Sequence, residues 1–205
     1  MGSNPLVRKT RKGLNIFYYG KGKGKTTAAM GLAARAAGAD MDVFILQFVK
    51  SKAAAKGQKL QSGEWPISSE ILFFNAAKKS SVKSIGKITT EQTGAGFVGI
   101  LGDKKQRSVH IKEANKGLLL AKKIINSDKY DLIILDELVS AVELGLFSEK
   151  EVVALVKQKP KHLHLAYTGH DAFENIIACS DLVSEIKMIK HPYYKGILAQ
   201  RGIDF

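Results

Sequence analysis

The chain of 205 residues contains a single cysteine, Cys179. One thiol excludes an internal disulfide framework and suits a reducing, cytoplasmic setting; it reads as a small buried thiol at a helix end. No apolar run is long enough to span a bilayer, and the N-terminus lacks the apolar core of a signal peptide, so no membrane partner is expected. Met1-Gly2-Ser3-Asn4 opens like a myristoylation signal, but Leu6 stands where Ser or Thr is required. Internal repeats and a linker between domains are also missing. Negative charge is scarce: 19 acidic residues face 32 Lys and Arg, a formal net charge of +13. Such a surplus invites polyanions. The basic residues crowd into Arg8–Lys12, Lys50–Lys59, Lys78–Lys87 and Lys104–Arg107. No regularly spaced aromatics interleave with them as a single-strand stacking platform would require. The basic surface therefore reads as a solvated, anion-attracting rim, and nucleic acid is not the expected partner.

What is present is enough apolar content, 45%, to bury the core of one domain. The pattern predicts strands at Leu14–Tyr19, Asp42–Phe48, Asp131–Leu135, His162–Thr168 and Leu182–Ile189, with another at Ile71–Asn75. Helices are predicted over Thr26–Ala37, stopped by Gly38, and over Ser108–Asn126, Ser148–Lys157 and Asp171–Cys179. Strands alternating with helices argue for an α/β domain, a mostly parallel sheet with helices on both faces. Residues 1–13 read as a basic N-terminal segment and 14–205 as the domain, interrupted over 51–93 by a divergent, partly mobile basic insertion.

The stretch YYGKGKGKTTAAMG, Tyr18 to Gly31, joins the first strand to the first helix. A strand turning through glycines into a helix sets backbone N–H groups and the positive helix end around phosphate oxygens. Gly20, Gly22 and Gly24 allow the close approach. Lys21 and Lys23 add charge, Lys25 faces the terminal phosphates, and Thr26, followed by Thr27, offers a hydroxyl to Mg²⁺. The strict pattern G-x-x-x-x-G-K-[ST] wants glycine at Tyr19, so the match is imperfect. Its acidic counterpart is YDLIILDEL, Tyr130 to Leu138: a buried strand delivers Asp136 and Glu137 at its carboxyl end, where open α/β sheets bind ligands. One acid would hold Mg²⁺, and the other would bond Thr26 or a metal-bound water. These parts specify a Mg-nucleotide site of the P-loop NTPase kind. They fit an ATPase acting on nucleic acid, a small-molecule kinase using Glu137 as its acid, or a nucleotide carrier.

Six stretches, two of them extending the motifs above, narrow the choice. GKGKGKTTAAMGLAARAAG, ILQFVKS, GAGFVG, YDLIILDELVSAVELGLF, TGH and VSEIKMIKHPYYKGILAQRGIDF together resemble the ATP:corrinoid adenosyltransferases, which form the cobalt–carbon bond of coenzyme B12. The resemblance covers Leu14–Ser51 and Gly94–Phe205. The C-terminal run is its most specific part, because generic P-loop proteins carry nothing like it. It implies a RecA-like fold acting as a homodimer, with ATP and a reduced corrinoid (cobalamin or cobyrinic acid a,c-diamide) as substrates. Mg²⁺ or Mn²⁺ would be the cofactor and a flavoprotein the electron donor. Co(I) would attack the 5′ carbon of ATP and triphosphate would leave whole. The resemblance further implies that Lys25, Glu137 and Phe97 serve catalysis, and that Phe97 and Gly96 lie against the corrin ring. Three positions depart from it: Gly99 stands where some members carry tryptophan, Lys21 where asparagine is usual, and His170 where arginine can reach phosphate. The RecA-like ATPase on nucleic acid stays as the alternative, predicting ADP and phosphate as products.

Overall fold

The computed structural model describes residues 11–50, 69–77, 85–96, 98–99, 103–200 and 202–203. Six strands form one sheet: β1 Asn15–Tyr19, β2 Val43–Gln47, β3 Ile88–Gln92, β4 Leu132–Asp136, β5 His164–Gly169 and β6 Leu182–Glu185. Their order is β3-β2-β4-β5-β1-β6, with every pairing parallel. Six α-helices connect or flank them: α1 Lys25–Gly38, α2 Ser69–Ala77, α3 Arg107–Ile125, α4 Leu138–Glu143, α5 Glu149–Lys157 and α6 Glu174–Ala178. This is a single-domain P-loop NTPase-like fold. Among the described residues no helix is long and apolar enough to cross a membrane.

The strand sequences dictate the layering. Side chains alternate across a strand, so Ile16, Ile45, Ile134 and Ala166 meet on one face while Phe17, Leu46, Leu135 and Tyr167 meet on the other. The first face is covered by α1 and α2, which contribute Ala29, Met30, Ala33, Ile71 and Phe74. The second takes Ala114, Ala121 and Ile125 of α3, and residues of α4, α5 and α6. The division follows from handedness: the chain steps toward β3 through α1 and α2, then back toward β6 through the other helices. Right-handed crossovers must then place the two sets on opposite faces. Alanines on α1 let that helix lie close to the sheet. Each fully buried Leu, Ile or Phe contributes about 1.5–3 kcal/mol of transfer free energy.

Two local signals are directly readable. Ser148 caps α5 through a reciprocal capping box with Glu151. Cys179 ends α6, half-buried, its Sγ 3.3 Å from the Ile176 carbonyl, with burial pushing the thiol pKa up.

One expected element is corrected. Ile71–Asn75 is not a strand but the middle of α2. Its four apolar residues suggest a strand, yet Ile71 and Phe74 are buried while Leu72 and Phe73 are exposed, the spacing of a helix face. The strand of that region is β3, whose sequence ITTEQ has too little apolar character to announce itself. Within the rest of 51–93, residues 51–68 and 78–84 lie outside the described set.

Candidate nucleotide site

Because all strands run parallel, their carboxyl ends share one edge, and the polar residues gather there. The loop after β1 is held from two sides. Gly20 N–H donates to the His170 carbonyl (3.0 Å) and Gly22 N–H to the Ile186 carbonyl (2.9 Å). Gly20 has φ 118, and a Cβ there would collide with the Ile186 carbonyl oxygen; a Cβ on Gly22 would lie 2.7 Å from the same atom. Only glycine fits where the residues after β6 back the loop. Lys25, the first residue of α1, is buried and folds back over the loop: Nζ donates to the carbonyls of Gly20 (2.6 Å) and Gly22 (3.0 Å). Burial lowers its pKa, opposed by the charges of Glu137, Glu143 and Asp136. A cavity of about 350 Å³ opens beside it, lined by Lys23, Gly24, Thr27, Ala28 and Ile203. Lys21 is exposed on the loop.

Asp136 is fully buried at the end of β4. Its Oδ1 accepts from Thr26 Oγ1 (2.9 Å) and Thr168 Oγ1 (3.0 Å). Its Oδ2 accepts from Gln47 Nε2 (3.0 Å) and pairs with Lys50 Nζ at 3.4 Å. Gln92 Nε2 in turn donates to Gln47 Oε1 (2.9 Å). The acid that meets Thr26 is thus Asp136. Glu137 has φ 61, an uncommon left-handed conformation for a residue with a side chain, and its N–H donates to Thr168 Oγ1 (2.7 Å).

Among the described residues no group of three or more His, Cys, Asp and Glu side chains could hold a metal by itself. The hard-oxygen set of Thr26 and Asp136, with Glu137 adjacent in the chain, fits a divalent cation that takes phosphate oxygens and water as its other ligands.

His170, after β5, sits at the rim. Its Nδ1 lies 2.9 Å from Ser140 Oγ, 3.5 Å from Glu143 Oε2 and 4.0 Å from Glu137 Oε2. Glu143 Oε1 also accepts the N–H groups of His170 (2.8 Å) and Asp171 (2.6 Å). The hydrogen bond to Glu143 raises the His170 pKa against the opposing effect of burial. Burial alone would raise the Glu143 pKa, but its bonds to the His170 ring and the two amides hold it below the usual range.

The glycine-rich stretch at 94–99 follows β3. Phe97, expected against a corrin ring, lies outside the described residues; Gly96 is described, with φ 109. The loop is anchored on its far side: Asp103 Oδ2 accepts from Gly99 N–H (2.9 Å) and meets Nε2 of the buried His110 at 2.9 Å. His191 caps the short 3₁₀ turn Pro192–Lys195, its Nδ1 accepting from Tyr193 N–H (3.1 Å).

The structure therefore brings Lys25, Thr26, Asp136 and Glu137 to one edge, with His170 beside them. Sequence reasoning missed Gln47, Thr168, Lys50, Ser140 and Glu143. A glutamine closing the apolar run FILQ was the available signal for Gln47, since a buried amide needs a polar partner.

This cradle is common to many nucleotide-binding proteins, and comparison with known proteins decides among them. The family model of the ATP:corrinoid adenosyltransferases, BtuR/CobO/CobP, matches residues 11–205. The chain belongs to that family. A corrinoid adenosyltransferase from a Sinorhizobium species is 31% identical over 203 residues, covering 98% of this chain and 84% of that protein. Corrinoid adenosyltransferase CobA of Salmonella typhimurium is 29% identical over 199 residues, covering 95% and 86%. The corrinoid adenosyltransferase of Pseudomonas aeruginosa is 28% identical over 197 residues, covering 96% and 86%. As a member of an adenosyltransferase family, the chain is an ATP-dependent transferase.

Proposed function

We propose that this chain transfers the 5′-deoxyadenosyl group of ATP to the Co(I) of a reduced corrinoid, cobalamin or cobyrinic acid a,c-diamide, in adenosylcobalamin synthesis. The observation that carries this reading is a phosphate cradle closed by Lys25, Thr26 and Asp136 in a chain matched by the adenosyltransferase family over 11–205.

The chemistry asks little of a side-chain base. Cobalt(I) supplies the electron pair, attacks C5′ and ends as alkylated Co(III); the C5′–O bond breaks and its electrons leave with triphosphate. What the protein must provide is alignment and stabilisation of the charge on the leaving group. Gly20, Gly22 and Gly24 present backbone to the phosphates, with Lys21, Lys23 and Thr27 on the same loop. Lys25 exchanges its loop carbonyls for phosphate oxygens. His170, in place of arginine, offers its ring from the rim. Thr26, Asp136 and Glu137 would hold Mg²⁺ or Mn²⁺, which would neutralise phosphate charge. Gly96 and Phe97 serve the corrinoid side. The same reading takes the chain as a cytoplasmic homodimer supplied with electrons by a flavoprotein, with residues 1–13 as a basic segment ahead of the domain.

The test is phosphorus NMR of the products after incubation with ATP, Mg²⁺ and chemically reduced corrinoid. Inorganic triphosphate should appear in step with the absorbance of a cobalt–carbon product. ADP and orthophosphate without that absorbance would overturn the proposal in favour of a RecA-like ATPase.

A further inference from the structure

Lys50 ends the ILQFVKS stretch, and its position is built rather than incidental. Val49, just before it, has φ 64, a conformation that a β-branched residue rarely adopts. The turn is wedged against Gly94, where a Cβ would lie 2.8 Å from the Val49 nitrogen. Both flanks are fixed: Phe48 N–H donates to the Asp136 carbonyl (2.9 Å) and Thr93 N–H to the Gln47 carbonyl (2.8 Å). The strained turn sends a half-buried ammonium to within 3.4 Å of Asp136 Oδ2, while Thr26 and Thr168 occupy Oδ1. That carboxylate is fully buried, and a buried anion must be compensated. Of the described side chains bonded to it, Lys50 alone carries positive charge, and it stays partly exposed.

We propose that Lys50 is a triphosphate-binding residue that compensates Asp136 until nucleotide and metal arrive, then turns its ammonium onto the phosphates. This rests on the reading of the edge as a polyphosphate site. A divalent cation and an ammonium both seek Asp136, so the two compete for it, and a lysine displaced from the carboxylate lies beside the new negative charge. Strain in the Val49 turn keeps the side chain at the site in both states.

The test uses the whole protein without corrinoid. Binding of inorganic triphosphate in the absence of metal is measured by calorimetry, and binding of Mn²⁺ in the absence of nucleotide by electron paramagnetic resonance. Lys50→Met should weaken triphosphate binding by roughly tenfold or more, the scale of a charge-assisted hydrogen bond. It should also tighten Mn²⁺ binding severalfold, because the competing cation is gone. Lys50→Gln, which keeps a donor for Asp136, should show the same two changes if Lys50→Met does not fold. Lys50→Arg should retain most of the triphosphate affinity. Unchanged triphosphate and Mn²⁺ affinities in a folded Met or Gln variant would overturn the proposal and leave Lys50 a compensating charge only. Wild-type protein that binds triphosphate but makes no cobalt–carbon product would instead count against the adenosyl-transfer reading, and leave the role of Lys50 standing.

Discussion

Strand β4 carries a fully buried aspartate at each end: Asp131 just before it and Asp136 as its last residue. Asp131 is held in part by backbone. Its Oδ1 pairs with Arg11 at 2.7 Å, and its Oδ2 accepts the backbone N–H of Asp42 (2.9 Å). Asp136 is bound by four side chains from three other segments, Thr26, Gln47 with Lys50, and Thr168. Backbone partners cannot leave without local unfolding, whereas hydroxyls, amides and ammonium groups can rotate away. Burial alone therefore does not separate the two acids; what separates them is a backbone N–H on Asp131 where, among the described residues, the Asp136 carboxylate has side chains alone.

The contrast can be broken most sharply at the functional end. Lys25→Ala and Asp136→Asn should each lower the rate of adenosyl transfer by roughly 100-fold or more, the scale for losing one preorganised charge stabiliser. Rates at saturating ATP and metal check this, and wild-type turnover in both would erase the distinction between the two ends. The other end should show the opposite profile. Asp131→Asn should cost about 1–3 kcal/mol of stability by leaving Arg11 without its anion, with the rate at saturating substrate unchanged. Denaturant melts beside the same rate assay measure it, and a rate loss without a stability loss would refute it.

The smallest effect is expected at the rim. His170 holds its proton to higher pH in the folded chain than its ordinary 6.5, so the stabilisation from its contact with Glu143 is complete below about 6.5. It is lost as pH rises through the raised value. Glu143 titrates below its ordinary 4.5, so its share is present above about 4.5 and lost as acid approaches the depressed value. The pair is strongest between those limits. Glu143→Gln should lower the His170 pKa, read from its ring proton shifts by NMR in metal-free protein. An unmoved titration would show that Glu143 serves only the two backbone amides.

How much of this was legible beforehand follows the same division. Five strands could be read as short apolar runs, β2 and β4 buried at every position, and four helices because their apolar residues follow the 3.6 period. The glycine loop and the acid at the end of β4 could be read because a phosphate site needs both beside one another in space, and a parallel sheet supplies that. The partners of Asp136 could not. Gln47 and Lys50 come from the end of β2 and Thr168 from β5, and only the strand order puts β2 beside β4 and β4 beside β5. The edge strand β3 hid for a related reason: with one neighbour in the sheet, ITTEQ stays partly exposed and keeps polar residues on both faces. The helix at 69–77 was misread because four consecutive apolar residues fit either period until one knows which are covered.

The backing of the glycine loop by Ile186 has a consequence for how the protein is made. A chain emerging from the ribosome delivers its N-terminal part first, at roughly 5–20 residues per second. The loop at Gly20–Gly24 is thus synthesised early, but two of its holding contacts, to His170 and Ile186, come from residues made near the end. A nascent chain that stops before residue 186 has the glycines and the lysine yet lacks the wall they rest on. The native shape of this early loop therefore matures last, when almost all of the chain has been made.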